Sequence, residues 1–109
     1  MEPRAMSRPA KILVTGRPGV GKTTLVGKII ERLQPQLRLA GFLTGELRSP
    51  GGERIGFRIR TLAGREGELA RVGLASRHRV GRYGVNREEL ERLALPELCR
   101  RDVELLVID

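Results

Sequence analysis

Residues 16–23 read Gly16-Arg17-Pro18-Gly19-Val20-Gly21-Lys22-Thr23, and this stretch decides the fold. Its form is G-x-x-x-x-G-K-[ST], a loop whose backbone cradles phosphate groups. An apolar, β-prone run, Lys11-Ile12-Leu13-Val14-Thr15, leads into it, and a helical pattern over residues 24–33 leads out. Strand, glycine loop and helix in that order gather backbone N–H groups and the positive end of a helix dipole about one point. That point suits the β-phosphate of a nucleotide.

Each position of the loop has a physical reason. Gly16, Gly19 and Gly21 let the backbone bend and approach a ligand where a Cβ would intrude. Pro18 stiffens the loop by fixing φ. Arg17 and Val20 fill the variable positions and contribute backbone to the cradle. Lys22 is expected to reach the β- and γ-phosphates. The Thr23 hydroxyl suits Mg²⁺, which prefers hard oxygen ligands, and Thr24 is expected near the α-phosphate.

Composition sets the scale. The 109 residues make one domain or part of one, with apolar content of 39% and three aromatic residues, Phe42, Phe57 and Tyr83. No apolar run approaches membrane-spanning length. Residues 1–9 carry two arginines and no apolar h-region, so they read as a disordered lead-in and not a secretory signal; the P-loop domain is assigned to residues 10–109. A single cysteine, Cys99, excludes an internal disulfide, fits a reducing cytoplasm, and is expected to be a packing residue. The net charge is +8, almost all from arginine, since lysine occurs only at Lys11, Lys22 and Lys28. The arginines are scattered and lack interleaved aromatics for base stacking, so nucleic acid is a possible but not a favoured partner. A solvated surface that attracts polyanionic nucleotides accounts for the charge better.

Periodicity organises the rest. Leu25, Val26, Ile29, Ile30 and Leu33 form one helical stripe, expected to pack against a sheet, and Pro35 ends the helix. Residues 41–48 read as a strand, 49–53 as a turn, and 54–62 as the antiparallel return. In that return Ile55, Phe57, Ile59 and Thr61 alternate with Arg54, Gly56, Arg58 and Arg60, which marks a half-buried strand with an edge or solvent-facing side. Short strands are expected near residues 68–72 and 80–85, around a loop that exposes His78. Asn86 and Glu89 form an N-x-x-E cap for a helix with Leu90, Leu93 and Ala94 on its apolar face. Pro96 is expected to interrupt or restart that helix, with Leu98 and Cys99 continuing the packing.

The chain closes on Val103-Glu104-Leu105-Leu106-Val107-Ile108-Asp109. An apolar strand ending in aspartate is the form of a Walker B segment, whose carboxylate reaches the Mg²⁺ shell, usually through water. Such a strand is expected beside the P-loop strand.

With both motifs in hand, the chain resembles the nucleoside-triphosphatase family that includes the human cancer-related enzyme and its thermophilic archaeal and bacterial relatives. The segments that carry the resemblance are KILVTGRPGVGKTTL, GFLTGELR, ERIGFRIRTLAGREGELARVG, RVGRYGVN, ALPEL and LLVID. It implies an α/β fold of the RecA-like P-loop type, three layers α/β/α. It also implies Mg²⁺-dependent hydrolysis of nucleoside triphosphates such as ATP or GTP, with broad base selectivity. Carried over by position, residues 16–23 bind phosphates, Thr23 and Asp109 serve Mg²⁺, and Lys22 and Asp109 are the catalytic pair. Arg17 stands where relatives often have a small residue or proline, a mild departure. In the family a glutamate follows the Walker B aspartate and further strands and helices come after it. These residues are therefore expected to be the N-terminal part of a longer protein, inactive alone, with the water-activating residue beyond Asp109. Reading the coding sequence past that position tests this.

Other functions fit the same residues. A small-molecule or nucleoside kinase would use the same loop with an acceptor other than water. A nucleic-acid-stimulated module or a non-catalytic nucleotide binder would also contain it. No single arginine of the eighteen is marked by the sequence as a transition-state finger, and oligomeric state is not encoded in any motif.

Overall fold

The computed structural model describes residues 14–17 and 19–109. The lead-in, Pro18 and most of the strand expected at residues 11–15 lie outside the described residues. Within that strand Val14 and Thr15 are described, and they belong to no strand.

Helix α1 (Lys22–Leu33) starts two residues before the helical pattern suggested. The next two strands, β1 (Leu39–Arg48) and β2 (Arg54–Thr61), form the expected antiparallel hairpin, with Thr44 opposite Ile59 and Gly45 opposite Arg58. Its turn is closed by the Ser49 N–H donating to the Glu53 carbonyl at 2.8 Å. Strand β3 (Glu66–Val72) continues the meander antiparallel to β2. The segment expected as one strand at 80–85 is instead a tight hairpin of β4 (Arg79–Val80) and β5 (Tyr83–Val85), because Gly81 at φ 56° turns the chain between them. Helix α2 (Arg87–Leu98) follows, and β6 (Leu105–Ile108) returns to lie parallel to β1. The order across the sheet is β4-β5-β3-β2-β1-β6. Strand β2 is therefore interior, and its arginines mark a solvent-facing side and not an edge.

The core lies between the sheet and α2. Ile59, Leu93 and Ala94 are buried together, with Phe42, Leu69 and Leu90 packed around them. The helix start is set by Asn86, whose side chain accepts the Glu89 N–H at 3.1 Å. Pro96 stays inside the last turn, so α2 is not interrupted; the missing proline N–H removes one i→i−4 bond. Asn86→Ala is expected to lower stability by about 1 kcal/mol, read as a fall in the denaturant midpoint at unchanged slope.

Three packing expectations are corrected. Cys99 is an exposed free thiol, and Leu98, the last residue of the helix, is also exposed. On α1 only Ile30 of the apolar stripe is buried, while Leu25 and Ile29 are exposed. The helix that covers the described sheet is α2, not α1.

Candidate phosphate and metal site

The loop feeds α1 through Gly21, which caps the helix at φ 104°. That left-handed conformation is closed to most side chains and open to glycine. Gly19 also has positive φ, at 80°. No side chain caps α1, and its first helical bond is Leu25 N–H to the Gly21 carbonyl at 2.9 Å. The N–H groups of Lys22, Thr23 and Thr24 thus precede the helical ladder, at the positive end of the dipole. Backbone of Arg17 accepts the Val20 N–H at 3.2 Å, closing the loop on itself. Val20 and Thr24 are exposed. A Cβ at Gly16 would meet the Val20 side chain at 2.8 Å.

Lys22 lies back over the loop, its Nζ donating to the Gly16 carbonyl at 2.9 Å. An ammonium has three donors, so two remain for other acceptors.

Asp109 follows β6 directly, and its backbone is fixed by β1. Its N–H donates to the Phe42 carbonyl at 3.1 Å; its own carbonyl accepts the Thr44 N–H at 2.7 Å and the Thr44 hydroxyl at 2.9 Å. So anchored, its Oδ2 accepts a hydrogen bond from Thr23 Oγ1 at 3.2 Å. Residues 86 positions apart are brought together, as the two motifs suggested. The described partner of β6 is β1. Most of the P-loop strand expected at its side falls outside the described residues, and Val14 and Thr15, which are described, pair with no strand.

Two contributors escaped sequence reasoning. Thr44 fixes the Asp109 carbonyl, and nothing in an alternating strand marks a threonine for that task. Glu97 is buried, and its Oε1 accepts the Gly41 N–H at 3.0 Å. Its signal was available: Leu90, Leu93, Ala94 and Glu97 share one helical face, so an acid there faces the sheet.

Beyond the level of Asp109 the β1–β2 hairpin continues as a projecting wing. On the α2 side of this wing Arg54 donates to Tyr83 Oη at 3.1 Å and lies over the Phe57 ring at 5.3 Å. That hydrogen bond, helped by one from Arg82, holds the Tyr83 phenol below its ordinary pKa. His78 is exposed in its loop as expected, 3.4 Å from Arg87. A groove runs along the uncovered stripe of α1, lined by Leu25, Lys28, Ile29 and Arg32; none of the loop's chemistry lines it. No cluster of three or more metal-ligating side chains exists among the described residues. No described helix is long and apolar enough to cross a membrane.

A glycine loop running into a helix, with a sheet strand delivering an aspartate to that helix's first turn, defines a P-loop NTPase fold. The profile of the family described as NTPase matches residues 11–109, and the chain belongs to that family. It is 50% identical over 101 residues to nucleoside-triphosphatase THEP1 of Thermotoga sp. strain RQ2, covering 91% of this chain and 56% of that protein. Against the human cancer-related nucleoside-triphosphatase it is 46% identical over 97 residues, covering 84% and 50% of the two chains. The solution structure of a human cancer-related nucleoside triphosphatase superposes with a TM-score of 0.66 at 44% identity, over 85% of this chain and 54% of that one. The crystal structure of THEP1 from Aquifex aeolicus gives 0.62 at 48% identity, over 74% and 43%. The chain spans about half the length of the curated relatives it matches.

Proposed function

We propose that the protein is a Mg²⁺-dependent nucleoside-triphosphatase that releases phosphate from nucleoside triphosphates with broad base selectivity. The observation that carries this reading is the Thr23 Oγ1–Asp109 Oδ2 hydrogen bond at the mouth of the phosphate loop. A hydroxyl and a carboxylate oxygen side by side are hard donors, so the residues present fit Mg²⁺. When bound, the ion neutralises charge shared by the β- and γ-phosphates. The names of the relatives, nucleoside-triphosphatases, support hydrolysis over other uses of the loop.

The chain's own residues do the positioning. Loop N–H groups bind the β-phosphate, and the Lys22 ammonium spans the β- and γ-phosphates. Asp109 orients the Thr23 hydroxyl, and these two residues would hold Mg²⁺. A water oxygen bonds to the γ-phosphorus and the bond from that phosphorus to the β–γ bridging oxygen breaks. The electron pair stays on the diphosphate, and one water proton leaves to solvent. Protein covalent chemistry is not required.

Phosphate release from ATP, GTP, CTP and UTP without any added acceptor, measured on a chain carried past Asp109 to the length of the relatives, tests the reading, and is expected for all four and lost on chelation of Mg²⁺. Phosphate transfer only when an acceptor is supplied overturns it in favour of a kinase. Asp109→Asn is expected to raise the Mg²⁺ concentration for half-maximal nucleotide binding by about 10–100-fold, the usual cost of losing a partner of a metal's shell.

A further inference from the structure

Residues opposite one another in a ladder share a face of the sheet. Phe42 pairs with Ile108, so Asp109 stands level with Leu43, on the face that also has Gly45 of β1 and Arg60 and Arg58 of β2. The opposite face, with Phe42 and Ile59, is the one that α2 covers. Asp109 reaches Thr23 on the first face, so the phosphate loop and these two arginines lie on one side.

Arg60 is engaged, its Nε 2.7 Å from Glu66 Oε1. The other arginines of β1 to β3 are also paired: Arg48 and Arg54 with Glu46, and Arg71 with Glu68. Arg58 has no hydrogen bond or ion pair among the described residues. Its side chain lies across Gly45, where a Cβ would come within 3.4 Å of Nε and 3.8 Å of Cγ. It therefore extends over β1 in the direction of β6. The gap from β2 to β6 is two strand spacings, roughly 10 Å, and the side chain already covers the first of them. Both Arg58 and Gly45 lie past the carboxyl end of β6, the end at which Asp109 meets Thr23.

We propose that Arg58 is a catalytic arginine supplied in cis, which binds the γ-phosphate of the triphosphate held by the loop. The assignment rests on the proposed function and adds the group that discriminates triphosphate from diphosphate. A guanidinium stays charged and offers a planar fork of donors, matched to the oxygens on which charge spreads as the γ-phosphoryl group leaves the diphosphate. Gly45 is part of the device: an alanine Cβ there would only touch Arg58, at 3.4 Å, whereas a branched side chain would obstruct its path.

The test compares triphosphate and diphosphate affinity, by calorimetry with ATP and ADP, together with phosphate release, in the protein and in Arg58→Ala. ATP affinity is expected to fall about 10-fold with ADP affinity unchanged, and turnover to fall about 10³-fold, the scale for losing such an arginine. Arg58→Lys is expected to restore part of the ATP preference and little turnover. Gly45→Val, which leaves Arg58 in place and blocks its path, is expected to reproduce the loss. Equal losses for ATP and ADP, or wild-type behaviour of Arg58→Ala, overturn the assignment. If Lys22→Ala still weakens ATP binding by about 10–150-fold in that case, the wider functional reading stands; if the unmodified protein binds no ATP, both fall.

Discussion

Lys22→Ala is expected to leave the protein folded and to abolish phosphate release. The ammonium makes one hydrogen bond, to the Gly16 carbonyl, and is held over the loop by it. Removing a half-buried side chain with that single contact is expected to change stability by no more than about 0.5 kcal/mol. The functional cost is of another size. A charge-assisted hydrogen bond contributes about 1.5–3 kcal/mol, which is about 10–150-fold in triphosphate affinity. Stabilisation of developing charge is lost on top, about 10²–10³-fold for one well-placed donor. Thermal melting and phosphate release measured on the same preparation separate the two effects. Phosphate release near the unmodified rate would refute the assignment of the loop.

The comparison of sequence with structure divides along physical lines. The β1–β2 hairpin was legible because alternation of Ile55, Phe57, Ile59 and Thr61 with arginines has one geometric solution, a strand with two unlike faces. The α2 cap was legible because an asparagine three residues before a glutamate offers its oxygen to an orphan N–H. The meeting of Thr23 with Asp109 was legible only through motif chemistry, since no local signal spans that separation. What was illegible depended on packing. Helical spacing gives the stripe of α1 but does not say whether anything covers it, and Leu25 and Ile29 are exposed. Similarly, one cysteine at a helix end could face either way, and Cys99 faces solvent. Arg58 looked like any arginine on a solvated face. Its meaning depends on register, because only the pairing of Gly45 with Arg58 shows which side it takes and what lies across the gap.

Register also makes Gly41 the residue on which site and fold jointly depend. Its φ is 131°, outside the range that L side chains adopt readily, and a Cβ there would overlap the Val107 carbonyl of β6. The neighbouring atoms are backbone, so no rotamer change relieves the contact. Gly41→Ala is therefore expected to push β6 away from β1 at the step Gly41↔Val107. Strain of about 1–3 kcal/mol for the backbone conformation is the lower bound, with the lost ladder bonds added to it. The N–H that Gly41 donates to buried Glu97 is disturbed by the same movement. Two residues further along β6, Asp109 depends on Phe42 and Thr44 of β1 for its position, so displacement of the strand separates its carboxylate from Thr23. The expected result is a lowered denaturant midpoint together with a weakened Mg²⁺ dependence of nucleotide binding. Lys22→Ala is expected to weaken triphosphate binding at an unchanged denaturant midpoint and with the Mg²⁺ response kept. A Gly41→Ala protein of unchanged stability and unchanged Mg²⁺ response would mean that β6 is positioned by contacts other than its ladder to β1.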